Sequence, residues 1–247
     1  MTVALTIAGS DASGGAGIQA DLKTFHRFGV FGEAVVTLIT VQNTRGVGQV
    51  HTLPPDLVEA QIRAVLDDIP PGAAKTGALG SEEIAARVAK LAERFDFPLV
   101  VDPVMTAKNG AKLGGRRFAP CFLLTPNLEE ASTIAGFEVN DSASMRRAAE
   151  KIQSMGAMNV LIKGGHLRGD AADLLYAAGE FHEFRSPRIE TRHTHGTGCA
   201  YSAAITAELA KGTALVEAVR RAKQFVTEAI RGNPGLGSGS GPLNFFA

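Results

Sequence analysis

The sequence predicts an α/β protein built on a largely parallel sheet covered by helices on both faces, and three observations carry that expectation. Short apolar runs alternate with longer amphipathic ones along the chain, the order produced when strands and helices take turns. The apolar runs stop at polar or glycine-rich turns, and loops at the carboxyl ends of strands are where open α/β sheets gather ligands. Glycine is abundant, 28 of 247 residues, against an average of roughly 7%. Many turns must therefore be tight or lie close to a ligand.

Each element follows from its own residues. A first strand is expected at residues 3–8, stopped by Gly9-Ser10-Asp11, and a helix over 18–28 carries Ile18, Leu22 and Phe25 at helical spacing. The β-branched run 35–41 is a second strand and 73–76 a shorter one. Residues 99–101 end at Asp102-Pro103, 122–124 at Thr125-Pro126 and 160–162 at Lys163-Gly164-Gly165. Helices are expected over 55–67, 81–95, 142–155, 199–211 and 214–231, the second with Ser81 as N-cap and Glu82 and Glu83 in its first turn. Residues 174–189 read as paired strands, and 235–241 is the one low-complexity piece.

Composition narrows the class of function. The length permits one large core, so a single domain over 1–247 is expected. Twenty-five basic and 25 acidic side chains cancel, which removes any whole-chain electrostatic reason to expect nucleic acid or an anionic membrane. Two cysteines, Cys121 and Cys199, make neither a disulfide framework nor a cysteine-rich metal site, so a reducing, cytoplasmic setting is expected. The N-terminus lacks a basic leader, which argues against a signal peptide. No apolar stretch approaches the roughly 20 residues that cross a bilayer.

The chemistry concentrates in "THTHGTGCAYSAAI", residues 194–207. Gly196 and Gly198 let the backbone turn consecutive N–H groups toward one point, and the following helix adds unpaired amides and the positive end of its dipole. An anion is expected there, with Thr197 in the same turn. If a phosphoryl group moves at this spot, the same donors would stabilise its developing charge. The helix start should also lower the thiol pKa of Cys199 below about 8.5 and fit it to accept a proton. The alternative is a small buried hydrophobe at a helix cap.

Other strand ends supply further candidates. The first loop, "AGSDASGGAGIQAD", offers glycines, small hydroxyls and two carboxylates, and its glycines sit too far from the strand for a dinucleotide fingerprint. No Walker-type phosphate loop occurs. Asp102, Asn127 and Glu130 could hold Mg²⁺ directly or through water; otherwise Asp102 is a strand-end turn, and Asn127 and Glu130 are an N-cap with a first-turn acid. Lys163 stands where an ammonium can reach a phosphate, or is a solvated strand-end lysine. His193 and His195 alternate along an extended segment, but a third ligand is not evident and a metal site is not expected.

In order along the chain, "ALTIAGSDASGGAGIQADLKTF", "TVQNTRGV", "AAKTGAL", "VVDPVM", "LLTPNLEEA", "VLIKGGHL", "THGTGCAYSAAI" and "GSGPLN" resemble the hydroxymethylpyrimidine/phosphomethylpyrimidine kinases of thiamine biosynthesis, within the ribokinase-like superfamily. The resemblance implies a three-layer α/β/α fold, a homodimer, and ATP with Mg²⁺. It also implies two phosphorylations, of the hydroxymethylpyrimidine and then of its monophosphate. Carried over by motif, Gly9, Asp21, Val41 and Gln42 would contact the pyrimidine, with Ala78 and Val104 lining its pocket. Gln42 could satisfy a ring nitrogen and an amino group as donor and acceptor.

By the same resemblance Asp102 and Glu130 would serve the metal, and Asn127 and Lys163 the nucleotide. Gly196, Thr197, Gly198 and Cys199 would form the anion hole, the thiol standing where many ribokinase relatives carry an aspartate base. Three departures accompany the match: Ala78 where many members have methionine, a shorter stretch between Met105 and Thr125, and Ser238 or Ser240 where relatives carry a histidine. The shortened stretch bears on the geometry near Lys108 and Asn109. A pyridoxal or pyridoxine kinase and a non-catalytic vitamin-precursor binding protein are the competing readings.

Overall fold

The computed structural model describes residues 1–104, 121–165 and 171–247. Nine strands form one sheet in the order β3-β2-β1-β4-β5-β6-β7-β8-β9. These are β1 (Val3–Asp11), β2 (Phe31–Asn43), β3 (Gly46–Thr52), β4 (Ala73–Thr76), β5 (Leu99–Val101), β6 (Leu123–Leu124), β7 (Asn159–Ile162), β8 (Ala171–Ala177) and β9 (Glu180–Ser186). Strands β2, β1, β4, β5, β6 and β7 pair in parallel, and β3, β8 and β9 add antiparallel margins. The parallel centre aims the loops after six strands at one edge of the sheet.

Helices cover both faces, and the two-residue period of each strand decides which face a side chain meets. On one face lie α1 (Gly17–Arg27), α6 (Thr197–Ala210) and α7 (Leu215–Arg231). They pack over Ala4, Ala73, Val100, Leu123 and Leu161. On the other lie α2 (Pro55–Asp68), α3 (Glu82–Ala92), α4 (Leu128–Ala135) and α5 (Ser142–Ser154), over Leu5, Ile7, Ala74, Leu124, Val160 and Ile162. The small residues on the first face let α6 come close. Every residue from Ala200 to Leu209 is buried, which explains why this helix carries no polar stripe.

Most expected elements stand within a few residues, and the differences have physical reasons. Strand β1 runs past Gly9 to Asp11 because β2 continues to pair with it across a register shift between Ala8 and Ser10. Strand β3 was not expected, being exposed along its whole length and lacking apolar alternation; its pairing with β2 makes it a strand. In helix α4 Asn127 and Glu130 form the cap, since Asn127 Oδ1 accepts from the Glu130 N–H at 2.9 Å and Glu130 Oε2 from the Asn127 N–H at 2.8 Å. Helix α6 starts at Thr197, two residues before the expected point. The expectations about Lys108, Asn109 and the shortened stretch fall mainly on residues 105–120, outside the described residues.

One strained charge lies away from the loop edge. Glu33 on β2 has an enclosed Oε2 without a hydrogen-bond partner, and burial, aided by the charge of Asp68, pushes its pKa up to about 7. The folded chain therefore holds this proton more tightly than the unfolded chain, and stability falls as pH rises from about 4.5 to about 7. Glu33→Gln should leave the melting temperature unchanged at pH 4 and raise it at pH 8 by a few degrees, about 1 kcal/mol after allowance for solvent screening. Parallel melting curves at pH 8 would refute this attribution.

Candidate active site

The start of α6 is built from glycines for two different reasons. Gly196, the N-cap, has a left-handed backbone at φ 79°, and a Cβ there would lie 1.8 Å from the Gly15 carbonyl oxygen. Gly198 lies within the first helical turn without a positive φ, so its part is space: a Cβ would stand 3.3 Å from Lys163 Nζ and 3.7 Å from Asp102 Oδ2. No side chain caps the helix, and the Thr197 hydroxyl turns back to the Thr194 carbonyl at 2.7 Å. The start of the helix thus keeps backbone donors for a ligand.

Two cations and two carboxylates surround this point. Lys163, at the end of β7, donates to Asp102 Oδ1 at 2.8 Å. Burial alone would raise the Asp102 pKa, but Lys163 and Lys75 outweigh it and hold the carboxyl below its ordinary value. Beneath them Lys75 of β4 donates to Asp21 Oδ1 at 2.7 Å with both side chains wholly enclosed, while the Thr6 hydroxyl donates to Asp21 Oδ2 at 2.7 Å. Burial works against the Lys75 ammonium, and Asp21, Cys199 and Asp102 together overcome it and raise its pKa.

Asp21 is therefore corrected as a pyrimidine contact. It is 0% exposed and both oxygens are occupied inside the protein, because its place on α1 turns it under the sheet end to meet Lys75. The expected low thiol pKa of Cys199 is corrected as well. The half-buried sulfur accepts from the Gly17 N–H and feels Lys75, yet burial dominates and pushes its pKa up to about 11. Desolvation outweighs the helix start, and at neutral pH the group is a thiol.

The remaining candidates occupy the same edge. Gly9 lies near the end of β1, where a Cβ would collide with Leu38; Val41 and Gln42 lie near the end of β2, and Ala78 and Val104 follow β4 and β5. Val41 is 56% and Val104 38% exposed, and the Ala78 carbonyl accepts from the Thr37 hydroxyl. Asn127 pairs by backbone with Lys163, placing the α4 cap beside the lysine, and Glu130 helps raise the Lys163 pKa against burial. His195 meets Asp11 and Gln42 instead of pairing with His193 as a ligand set.

Sequence reasoning passed over Lys75 and the role of Asp11. A charged residue inside the apolar strand "AAKT" was the available signal, since a buried ammonium demands a partner.

Among the described residues no three His, Cys, Asp or Glu side chains gather as a metal cage. Mg²⁺ makes a smaller demand, keeping several waters and taking phosphate oxygens with one or two carboxylates. Asp102, with Glu130 acting through water, would suit that demand. Taken together, backbone amides, an ammonium, a carboxylate and a thiol converge on one point where an anionic group could be held and passed on.

Gly198→Ala is expected to keep the fold, because the nearest atom to the new methyl is the flexible end of Lys163. The methyl would occupy the approach to the amides, so affinity for a phosphate-bearing ligand should fall by about tenfold or more. Isothermal titration with ADP measures it, and undiminished affinity would remove the amides from the binding site.

The family model described as phosphomethylpyrimidine kinase matches residues 11–244. A hydroxymethylpyrimidine/phosphomethylpyrimidine kinase of Streptomyces coelicolor is 47% identical, covering 97% of this chain and 93% of the relative. The thiamine biosynthesis bifunctional protein ThiED of Geobacter sulfurreducens is 49% identical over 97% of this chain, which spans about half, 51%, of that longer protein. Among solved structures, an ADP complex of Bacillus subtilis pyridoxal kinase superposes with a TM-score of 0.92 at 41% identity, covering 99% of this chain and 97% of the other.

Proposed function

This chain belongs to the phosphomethylpyrimidine kinase family, and on that premise we propose that it moves the terminal phosphoryl group of ATP to 4-amino-5-hydroxymethyl-2-methylpyrimidine and then to the resulting monophosphate. The single observation that carries this reading is the convergence of the open start of α6 with Lys163 and Asp102. The amides of Gly196, Gly198 and Cys199 would receive the migrating group, the Thr197 N–H being bonded to the Thr194 carbonyl, and Lys163 the charge of the donor phosphates. Asn127, at the α4 cap beside Lys163, lines the nucleotide side, and Asp102 with Glu130 would hold Mg²⁺, which neutralises phosphate charge when bound.

The acceptor alcohol approaches from the ends of β1, β2, β4 and β5. There Gly9, Val41, Gln42, Ala78 and Val104 shape the ring site, and the thiolate form of Cys199 takes the hydroxyl proton and becomes the thiol. Because the thiol pKa lies near 11, the thiolate is a small fraction at neutral pH, and the alcohol gives up its proton to it late, when bond formation to phosphorus has made the alcohol acidic. Asp21 supports the site from below through Lys75, which faces the thiol.

The reading takes residues 1–247 as one kinase unit working as a homodimer. Strand β3 is an open edge, and the exposed Val47 and Val50 on one of its faces leave apolar surface that a second copy would cover. No helix among the described residues is long and apolar enough to cross a membrane, and two free thiols suit a reducing cytoplasm.

The test mixes protein, ATP and Mg²⁺ with the hydroxymethylpyrimidine, its monophosphate or pyridoxal and follows ADP. ADP should form with both pyrimidines. The likeness to a pyridoxal kinase structure makes pyridoxal the informative competitor: ADP with pyridoxal alone would favour that activity, and none with any ring would leave only a binding protein.

A further inference from the structure

Three loops of the site meet at one side chain that the phosphoryl chemistry does not use. His195 Nε2 lies 2.7 Å from Asp11 Oδ2 and 3.2 Å from the side-chain amide of Gln42, and the His195 N–H donates to the Gly241 carbonyl. The ring fills the space beside Gly15, where a Cβ would come within 2.6 Å of its Cδ2. The loop after β1, the end of β2 and the entry to α6 are thereby joined through one imidazole.

The hydrogen on this imidazole can be placed by elimination. Asp11 is nearly enclosed, at 3% exposure, and accepts from the Ser13 N–H, the Ser13 hydroxyl and the Ala16 N–H at 2.8–2.9 Å. Burial would raise its pKa, but the bonds from His195 and Ser13 outweigh it and keep the group well below the usual carboxylate range. Asp11 is thus an acceptor only. An unprotonated Nε2 would set two lone pairs against each other at 2.7 Å, so Nε2 carries the hydrogen.

That assignment governs Gln42. An N–H of the amide facing an imidazole N–H is repulsive, whereas a half-turn of the amide brings its carbonyl oxygen to the same place as the longer, second acceptor of the one Nε2 hydrogen that Asp11 holds at 2.7 Å. The amino end of Gln42 then faces away from the histidine. The second lone pair of the carbonyl oxygen stays open.

Resting on the proposed activity, we propose that His195, clamped by Asp11, is a positioning residue that fixes the orientation of the Gln42 amide. The ring site then presents an N–H donor to an unprotonated ring nitrogen and an acceptor to an exocyclic amino group. The ligand so selected is an aminopyrimidine. Its 4-oxo counterpart, which carries N–H at the ring nitrogen and a carbonyl beside it, meets donor with donor and acceptor with acceptor, and a buried mismatch of this kind is what discriminates strongly.

The experiment compares kcat/KM for the 4-amino-5-hydroxymethylpyrimidine and its 4-oxo analogue in wild type, His195→Leu and His195→Gln. In His195→Leu the amide is free to turn, so the amino/oxo preference should fall at least about tenfold through KM for the ring, with KM for ATP unchanged. His195→Gln, which can still donate to Asp11, should recover part of the preference. A raised KM with an unchanged amino/oxo ratio would reduce His195 to a structural filler and overturn the proposal.

Should the leucine variant not fold, nitrogen NMR of the wild-type imidazole decides, with hydrogen on Nε2 expected and an Nδ1–H tautomer overturning the assignment. A wild type that phosphorylates neither pyrimidine would be a different failure. It would refute the kinase reading and this proposal together.

Discussion

Cys199→Ala is expected to lower turnover by roughly 10²–10⁴, the loss typical of a missing general base, while moving the melting temperature by only a few degrees. The small stability effect follows from the position of the residue at the margin of the core, half-buried against Ala200 and its neighbours. The pH profile gives the sharper check. With a thiol pKa of about 11, only roughly one group in 10⁴ is thiolate at pH 7. Deprotonation grows as pH rises, so the rate of the wild type should climb from pH 7 toward 10, and the alanine variant should lose that slope. A variant with undiminished turnover, or with the same climb, would return Cys199 to the role of a small core residue.

The second large effect is on stability. Lys75→Met strands the Asp21 carboxylate, and Asp21→Leu strands the Lys75 ammonium, each in a place with no access to water. Breaking a buried pair from one side costs about 3–5 kcal/mol, or a fall in melting temperature of roughly 10 °C for a chain of this length. The double variant should recover most of the loss, because two apolar side chains carry no stranded charge. Thermal melts of all three proteins measure it. A single variant that melts within a degree or two of wild type would show that the pair carries little, and failure of the double variant to recover would point to packing and not charge.

How legible this architecture was depended on the range of the interaction involved. Strands β4 and β5 matched to the residue because each short run ends abruptly, β4 at Gly77 and β5 at Asp102-Pro103. The Ser81 cap was visible because its hydroxyl reaches only to the Ile84 N–H. Strand β3 was hidden because its seven exposed residues are ordered by pairing with β2 and not by burial.

The same division runs through the site. Gly196 and Lys163 announced themselves by local pattern, whereas the Asp21–Lys75 pair spans 54 positions and Asp11–His195 spans 184. Partners so far apart are joined only by the sheet order. The thiol misled for a related reason: proximity to a helix start can be read along the chain, but the depth at which neighbouring elements bury it cannot.

The contact between Gly15 and Gly196 carries a further consequence. Main chain abuts main chain there, with no side chain between to slide or rotate. The loop after β1 and the entry to α6 are fitted against each other at this seam, so under the proposed activity a hinge parting ring from phosphate would not run through it. Whatever breathing admits both molecules has to pivot elsewhere around the rim.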